Sequence, residues 1–422
     1  MIKNRTAILA LLTGLNLLNY IDRAVVAAVL EPMQTELDLS NFEAGLLQSA
    51  FLVGYFLTSP LFGARADRGP RKGLIAIGVA IWSIATAATG FSTGVWTLLL
   101  ARIVVGVGEA SYATLAPTII DDLTPPEGKA TALSIFYLAI PVGFALGYVI
   151  GGQIGHIYGW RAAFYFTGIP GIALAATCLL IVEPPRKLAT AKEKLVDALR
   201  KLATIPLYRR AVFGYISYTA ALSAFAYWAP QFLLTRFKGQ LDLGSANLRF
   251  GLITIIAGAI GTAIGGRWAD LGARKLPRVH ADTPYDAPEN KLGANYQLRI
   301  CAIGMVIATP LAIACFLMPN ANAFFALALV AEIGLFLSTS PVNAVFLRTV
   351  PTELRASAMA ASIFAIHLFG DLWSTAVLGL LKDALPLIIA MMALPLTFAL
   401  SAYQWWPRRR EAAATPTNVP AH

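Results

Sequence analysis

Seven ionisable side chains lie inside long apolar stretches of this sequence. They are Asp22, Arg23, Arg102, Glu109, Glu332, His367 and Asp371. An ionisable group deep in a membrane-spanning segment costs about 2.5–3.5 kcal/mol on insertion scales, so such groups are rare and usually face a cavity. Carboxyl groups there can carry protons, and arginines can bind an anionic group such as phosphate. A purely structural alternative, in which these charges only pair between helices or lie nearer a membrane interface, stays open.

Helical geometry restricts how the four charges of the first half can pair. Asp22 and Arg23 are neighbours, about 100° apart around a helix, so each needs a partner on another helix. Arg102 and Glu109 lie seven residues apart, on one helix face but about 10 Å apart along the axis. The simplest arrangement places their two helices together, with Asp22 near Arg102 and Glu109 near Arg23. We therefore predict that Asp22 and Glu109 couple transport to protons and that the two arginines bind an anionic head group.

The second half offers fewer charges. His367 and Asp371 are four residues apart and share a helix face, which suits either a structural hydrogen-bonded pair or a proton relay. Glu332 lies near the middle of an apolar run, and the sequence suggests no partner for it.

Aromatic residues are candidates for contact with an apolar part of a substrate. One apolar run contains Tyr215, Tyr218, Phe225, Tyr227 and Trp228. These rings suit a pocket for an apolar tail, but aromatic residues are also common at membrane interfaces, and both interpretations stay open.

The composition shows which elements must position these residues. The chain has 422 residues, of which 57% are hydrophobic and 13% charged, against about 25% charged in a soluble domain. We count twelve apolar runs long enough to span a bilayer, which predicts an all-α integral membrane protein. The runs are 7–30, 44–63, 73–91, 95–119, 130–153, 161–182, 209–234, 248–269, 299–318, 322–347, 355–381 and 385–406.

The charge distribution predicts the orientation. Of the 33 Lys and Arg residues, 26 fall on one side of the twelve runs and five on the other. Because cytosolic loops collect Lys and Arg, both termini are predicted to be cytosolic. The net charge of +10 therefore indicates the orientation of the chain in the membrane. It does not indicate a nucleic-acid-binding surface, since the basic residues lie in short loops between apolar runs.

Several classes of protein are disfavoured by missing motifs. The sequence contains no H-E-x-x-H, no G-x-S-x-G and no Walker loop, which argues against a membrane enzyme or a primary pump. Cys178, Cys301 and Cys315 lie in apolar runs without metal-ligand or disulfide spacing. We therefore expect no enzyme activity, no cofactor and no metal. A passive channel or receptor does not explain the duplicated loop described next.

One loop motif occurs twice. The pattern G-x-x-x-D-x-G-x-R-K covers 63–72 and again 266–275, each time at the predicted cytosolic end of the second span of its half. This register indicates two six-helix bundles related by a parallel internal repeat. We predict bundles at 1–185 and 209–407, a cytosolic linker at 186–208 and a cytosolic tail at 408–422.

A carboxylate at a helix end with basic residues a few positions later can form ion pairs that hold in one conformation and part in another. This favours a gating role over a role in topology alone. The predicted gate residues are Gly63, Asp67, Arg68, Arg71, Asp270 and Arg274.

The duplicated loop resembles the signature of the major facilitator superfamily, and the resemblance covers the whole chain. Three stretches narrow it to the Spinster family: 18–23 (LNYIDR), 102–112 (with Arg102 and GVGEASY) and 134–143 (SIFYLAIPVG). This resemblance implies export of amphipathic lipids such as lysophospholipids or sphingosine 1-phosphate, with proton coupling in some members. The run 143–152 also approaches the G-x-x-x-G-P-x-x-G-G pattern of drug antiporters, but Tyr148 replaces the proline, and close helix packing explains the glycines equally well.

We therefore predict a proton-coupled secondary transporter of lysophospholipid or sphingosine-1-phosphate-like lipids, working by alternating access. The alternatives are a proton-coupled carrier of small organic anions or a multidrug efflux carrier. The predicted substrate-binding residues are Arg23, Arg102, Tyr112, Tyr215, Tyr218 and Trp228. We expect a monomer in the plasma membrane, a bacterial inner membrane in particular, with protons and the lipid bilayer as its other partners and no nucleic acid.

Overall fold

A computed structural model describes most of the chain. The described residues are 1–66, 70–125, 128–183, 195–274, 276, 284–351 and 354–407. The predicted gate residues Asp67 and Arg68, residues 186–194 of the predicted linker and the predicted tail 408–422 lie outside them.

The described residues are almost entirely helical. The helices of the first half are α1 (Arg5–Ala28), α2 (Leu30–Leu37), α3 (Asn41–Ala66), α4 (Arg71–Thr89), α5 (Val95–Leu123), α6 (Lys129–Tyr158) and α7 (Trp160–Cys178). Those that follow are α8 (Leu195–Thr204), α9 (Pro206–Arg236), α10 (Leu243–Ala273), α11 (Pro288–Leu317), α12 (Ala321–Phe336), α13 (Thr339–Arg348), α14 (Arg355–Ile366), α15 (Leu372–Ala384), α16 (Leu387–Met391) and α17 (Ala393–Trp405). A π-helical turn, His367–Asp371, joins α14 to α15. The prediction of an all-α chain is confirmed for this part of the sequence.

Ten helical segments in the described ranges are long and apolar enough to cross a membrane. They coincide with predicted spans 1–5 and 8–12. Helices α7 and α9 coincide with predicted spans 6 and 7 but are not among the ten, because polar and aromatic residues lower their mean hydropathy. Many apolar helices are therefore established, and the count of twelve stays a prediction.

Glycines let α3 and α5 pack with their backbones in contact. A Cβ atom added to Gly106 of α5 would overlap the carbonyl oxygen of Phe51, and one added to Gly54 of α3 would overlap that of Ile103. Membrane helices use small residues in this way because lipid gives no hydrophobic drive for their association. The contact fixes α3 against α5 beside the buried charges.

A second glycine stripe brings α6 against α1. Gly143, Gly147 and Gly151 lie one turn apart, and a Cβ on Gly147 would lie 2.6 Å from the carbonyl oxygen of Ile21. This is the stretch that approaches the drug-antiporter pattern. Tyr148, at its proline position, donates a hydrogen bond to the carbonyl oxygen of Ala226 over 2.8 Å. Close packing therefore accounts for these glycines.

The chain packs as two compact units. The first comprises 1–189, 224–255 and 372–390, and the second comprises 190–223, 256–371 and the residues from 391 onward. Packing defines these units, whereas the internal repeat defines the predicted halves 1–185 and 209–407, which remain a prediction.

The α3–α5 contact leads to a stability prediction. Gly106→Ala should lower the melting temperature of the purified protein, because overpacking a tight contact costs about 1–3 kcal/mol. The matched control is Gly14→Ala in α1, where an added Cβ meets nothing within 4 Å. That control should be neutral or slightly stabilising, since Ala is the better helix former. Equal melting temperatures for the two variants would contradict the close contact.

Candidate functional site

The buried charges meet where α1 and α5 approach each other. Arg23 of α1 donates from Nε to Glu109 Oε2 of α5 over 2.7 Å. The Glu109 side chain is fully buried, and that of Arg23 is 15% exposed. The predicted pairing of these two residues is confirmed, and it is a charge-assisted hydrogen bond away from solvent.

Aromatic rings surround the Arg23 guanidinium. Its central carbon lies 4.8 Å from the ring centroids of Tyr20 and Phe51 and 5.6 Å from that of Tyr55. The guanidinium of Arg102 lies 5.0 Å from the same Phe51 ring. Phe51 therefore contacts both arginines, and its cation–π contacts stabilise two like charges that would otherwise repel each other.

Sequence reasoning missed these rings. Tyr20 stands inside the LNYIDR stretch, and Phe51 and Tyr55 have the four-residue spacing of one helix face. Those were the available signals. They were weak, because aromatic residues are frequent throughout the chain.

The second predicted pair, Asp22 with Arg102, does not form a hydrogen bond. Both side chains are buried, at 1% and 2% exposure. Neither oxygen of Asp22 has a hydrogen-bond partner among the described residues, nor do Nε and Nη2 of Arg102. Arg102 remains within electrostatic range of Asp22 and Glu109. Asp22 and Arg23 lie about 100° apart around α1, so the orientation that brings Arg23 to Glu109 points Asp22 in another direction.

Asp22 faces α4 and α7 instead. The Trp82 indole and the Thr167 hydroxyl are donors near its carboxyl group. Trp82 Nε1 makes no hydrogen bond within the described chain, and Thr167 donates to the carbonyl oxygen of Ala163 at 3.1 Å. An ionised carboxylate buried without a hydrogen bond is strongly disfavoured, so this geometry suits a neutral, protonated Asp22.

Two predicted substrate residues take part in helix packing. Tyr112 is buried, donates to the carbonyl oxygen of Leu12 and packs edge-on against Trp82 at 5.5 Å. Trp228 is buried, and its indole nitrogen donates to the carbonyl oxygen of Thr375 over 3.0 Å. A substrate role for either ring stays a prediction.

Tyr215 and Tyr218 belong to the second unit. Their rings stack at 5.7 Å with an interplanar angle of 15°. Tyr215 also contacts Phe346 at 5.7 Å, and Tyr218 contacts Trp405 at 6.0 Å. These rings form an aromatic cluster on α9, α13 and α17.

The second unit also contains the predicted polar pair. His367 Nδ1 and Asp371 Oδ2 lie 2.6 Å apart, so the predicted shared face is confirmed. They are the first and last residues of the π-helical turn, a feature that is frequent at functional sites. Glu332 of α12 is buried, at 3% exposure.

The first copy of the loop motif is tied into its own unit through Arg71. Its Nη1 lies 2.8 Å from Asp122 Oδ2, and its Nε lies 3.5 Å from Glu183 Oε2. Glu183 also accepts the backbone N–H groups of Arg71 and Lys72, at 3.1 and 2.8 Å. This carboxylate therefore caps the start of α4, where helix N–H groups lack partners. Sequence reasoning identified Arg71 but neither acid.

The remaining gate residues lie at helix ends. Gly63 of α3 approaches Thr114, since an added Cβ would lie 3.9 Å from its methyl carbon. In the second copy, Asp270 and Arg274 have exposed side chains. Gly272 lies directly against the Tyr296 ring, where no side chain would fit.

Comparison with known proteins fits this arrangement of apolar helices around buried charges. The family model of the Major Facilitator Superfamily matches residues 12–373. "Probable sphingolipid transporter spinster homolog 1" of Arabidopsis thaliana is 34% identical, over 88% of this chain and 81% of that protein. "Protein spinster homolog 1" of Homo sapiens is 34% identical, over 90% of this chain and 73% of that protein.

A solved structure shares the fold. A bacterial homolog to the human lysosomal transporter Spinster, in an inward-facing and unoccupied conformation, superimposes with a TM-score of 0.83 at 24% identity, covering 96% of this chain and 97% of that one. The fold is thus that of a polytopic membrane transporter. The chain belongs to the major facilitator superfamily and, within it, to the Spinster-type transporters.

The Arg23–Glu109 contact leads to a thermodynamic prediction. Arg23→Met and Glu109→Gln should each destabilise the protein, because each leaves a buried polar partner behind. The double variant should lose less than the sum, with a coupling energy of about 0.5–3 kcal/mol. Denaturation of the four proteins in one detergent measures the cycle. Arg299→Met combined with Glu109→Gln is the control, since Arg299 is exposed and its effect should simply add.

Proposed function

We propose that this chain is a proton-coupled secondary transporter that moves lysophospholipid or sphingosine-1-phosphate-like lipids by alternating access. The main support for the proposal is that the two buried arginines differ in their hydrogen bonding. Arg23 is paired with Glu109, whereas two nitrogens of the buried Arg102 have no hydrogen-bond partner in the described chain. A buried cation with free donors is suited to receive an anionic group.

Asp22 and Glu109 divide the proton-coupling role on this proposal. Glu109 is held as a carboxylate by Arg23, while Asp22 is buried without a hydrogen bond and suits the protonated form. If the transporter moves Arg23 away from Glu109, the second carboxyl loses its compensating charge and favours a proton in turn. A conformational change can thereby exchange protons.

On this proposal Arg102 binds the head group, and Arg23 is its neighbour. A guanidinium binds a phosphate or carboxylate through two parallel N–H donors. The shared Phe51 ring restricts the orientation of Arg102. Arg102 therefore presents its donors to an anion without rearranging the Arg23–Glu109 pair.

The apolar tail of the substrate is assigned to the aromatic residues of α9. Tyr215 and Tyr218 offer stacked apolar faces. Trp228, also of α9, and Tyr112 of α5 are the other predicted substrate-binding aromatic residues. The name of the Arabidopsis relative, a probable sphingolipid transporter, supports an amphipathic lipid.

The loop-motif residues and the polar pair of the second half also have proposed roles. Arg71, with Asp270 and Arg274, gates the cytosolic side, and His367 and Asp371 form a polar pair of the second half. The proposed six-helix halves are 1–185 and 209–407. The protein is a monomer of the plasma membrane with both termini in the cytosol, as the asymmetry of Lys and Arg supports.

A carrier of small organic anions is the second candidate. The same free donors of Arg102 would bind any compact carboxylate. It differs from the lipid transporter in needing no apolar tail on its substrate, so chain length discriminates between the two.

Proton coupling is tested in proteoliposomes with a labelled lysophospholipid. An imposed pH gradient should drive transport by the unmodified protein, and Asp22→Asn or Glu109→Gln should reduce it to the level without a gradient. Asp38→Asn is the control, because Asp38 has a positive φ of 50° that Asn also tolerates. Full gradient-driven transport in both carboxyl variants would remove Asp22 and Glu109 from the mechanism. Movement of short organic anions but not of lysolipid would favour the second candidate.

Head-group binding is tested by comparing charged and uncharged lipids. Arg102→Ala should weaken binding of an anionic lysolipid about 10- to 150-fold, since a hydrogen bond to a charged group contributes about 1.5–3 kcal/mol. Binding of an uncharged monoacylglycerol should not change. Arg102→Lys should recover part of the affinity, and Arg299→Ala should behave as unmodified protein. Equal losses for both lipids would show that Arg102 supports the fold and does not read the head group.

A further inference from the structure

Lys382, near the end of α15, is a basic residue on the packed face of its helix. It follows Leu378 by four residues and Gly379 by three, and both of those residues are buried, whereas Leu380 is 54% exposed. Residues three and four positions apart share a helix face. An ionisable side chain on such a face is rare in a membrane helix and is a candidate for a functional role.

The ammonium group of Lys382 contacts two residues of α9. Its Nζ lies 3.5 Å from the ring centroid of Trp228 and donates to Gln231 Oε1 over 2.5 Å. Trp228 and Gln231 are three residues apart, so they share one face of α9. The indole is itself fixed, because its nitrogen donates to the carbonyl oxygen of Thr375. The ammonium group therefore has a defined position, and all four residues belong to the first compact unit.

This ammonium group has no carboxylate in direct contact. Lys382 forms no ion pair with an acid of the described ranges. Its neighbour Asp383 is within electrostatic range, but the oxygens of that carboxylate accept the backbone N–H groups of Asn41 at 3.0 Å and Phe42 at 2.8 Å. An aromatic face and an amide oxygen compensate a cation only in part, so the positive charge of Lys382 can attract a further anion.

The orientation of Gln231 adds donors for such an anion. An ammonium group only donates, so the amide oxygen of Gln231 must face Lys382, and the amide nitrogen keeps its N–H groups for another partner. Lys382 also has N–H groups left, because one of its three donates to Gln231. Donors from a cation and from an amide lie side by side here, which suits the oxygens of a phosphate group.

Two aromatic residues connect Lys382 with Arg102. The rings of Tyr227 and Trp228 meet edge-on with their centroids 5.5 Å apart, and Tyr227 is within electrostatic range of Arg102. All of these residues lie in the first compact unit. Arg102 and Lys382 are thus two cations with free N–H donors at the two ends of one aromatic series.

We propose that Lys382, with Gln231 beside it, forms a second anion site that binds a phosphate group. The asymmetry of Lys and Arg predicts that the end of α15 lies on the non-cytosolic side, so this site is the one nearer that side. For a lysophospholipid the bound phosphate is part of the head group. The inference rests on the proposed lipid transport and goes beyond it by adding a head-group site apart from Arg102.

The Trp228 ring can report binding at this site. Protein labelled with 5-fluorotryptophan contains eight fluorinated rings, and the 19F signal that is missing from Trp228→Phe belongs to Trp228. The signal is followed in a non-ionic detergent, in the Arg102→Ala variant and in unmodified protein, so that an anion at Arg102 can be told apart. The three probes are lysophosphatidic acid, a monoacylglycerol of the same chain length and inorganic phosphate.

Lysophosphatidic acid should shift the Trp228 signal saturably in both proteins, because its phosphate approaches the ammonium group that contacts the ring. Lys382→Gln and Lys382→Met should each raise the midpoint concentration about 10- to 150-fold, since each removes a hydrogen bond between charged groups. Lys382→Arg should keep most of the response. Lys238→Gln is the matched control, because Lys238 is an exposed lysine on the same predicted side, and its midpoint should not change.

The three probes separate an anion site from a structural contact. A shift that depends on Lys382 and is absent with the monoacylglycerol supports the site. The same shift with inorganic phosphate would show that the free ion also binds, and no shift with it would show that the phosphate binds only as part of a lipid.

Three results would overturn the proposal and leave Lys382 as a link between α9 and α15. They are no shift with either phosphate-bearing probe, an equal shift with the monoacylglycerol, and an unchanged midpoint in folded Lys382→Gln or Lys382→Met. The titration needs neither transport nor Arg102. A failed lysolipid transport assay therefore leaves its result standing.

Discussion

The buried ion pair between Arg23 and Glu109 is the constraint that organises the first unit. A charge this far from water needs its partner within hydrogen-bond distance, which fixes α1 against α5 to within a fraction of an ångström. Glycines hold the neighbouring helices close, with Gly106 bringing α5 against α3 and Gly147 bringing α6 against α1. The helices that carry the buried charges are thus each packed tightly against a further helix of the same unit.

Polar contacts at the helix ends differ in kind from this pair. Glu183 accepts the first N–H groups of α4, and Asp383 of α15 accepts those of α3 near solvent, so both combine charge with helix capping. Glu36, outside the apolar spans, also forms its polar contacts at a helix end. The Trp160 indole and then the Arg161 guanidinium lower the pKa of its carboxyl group. The contact of Glu36 with Trp160 and Arg161 stabilises the folded protein at pH values above the ordinary pKa of Glu. This stabilisation is lost as the pH falls through the lowered pKa of Glu36. Contacts of this type can be exchanged for water at low cost, whereas separating Arg23 from Glu109 removes the compensating charge of a buried carboxyl group.

Sequence reasoning reached the apolar helices, the family and the Arg23–Glu109 pair, because hydropathy, repeated motifs and helix spacing are properties of single segments. It did not reach the contacts that depend on how a helix is rotated within its bundle. Asp22 was expected near Arg102, and the two are within electrostatic range, but they form no hydrogen bond, and Trp82 and Thr167 also lie near Asp22. The cap that Asp383 of α15 forms on the first N–H groups of α3 was missed for a related reason. It joins residues 342 positions apart in the chain, and no local pattern marks such a partner.

The arrangement around Arg102 gives the proposed coupling a direction. An anion bound to Arg102 adds negative charge within electrostatic range of Asp22, and a second negative charge on Asp22 would be repelled. On the proposed mechanism, anion binding and proton binding at Asp22 therefore favour each other, and the effect is reciprocal, since linkage requires each ligand to strengthen the other equally. The proposed mechanism thus predicts that the anion and the proton move in the same direction. The opposite linkage would need the anion to displace Glu109 from Arg23, and the bond between those two residues opposes that exchange.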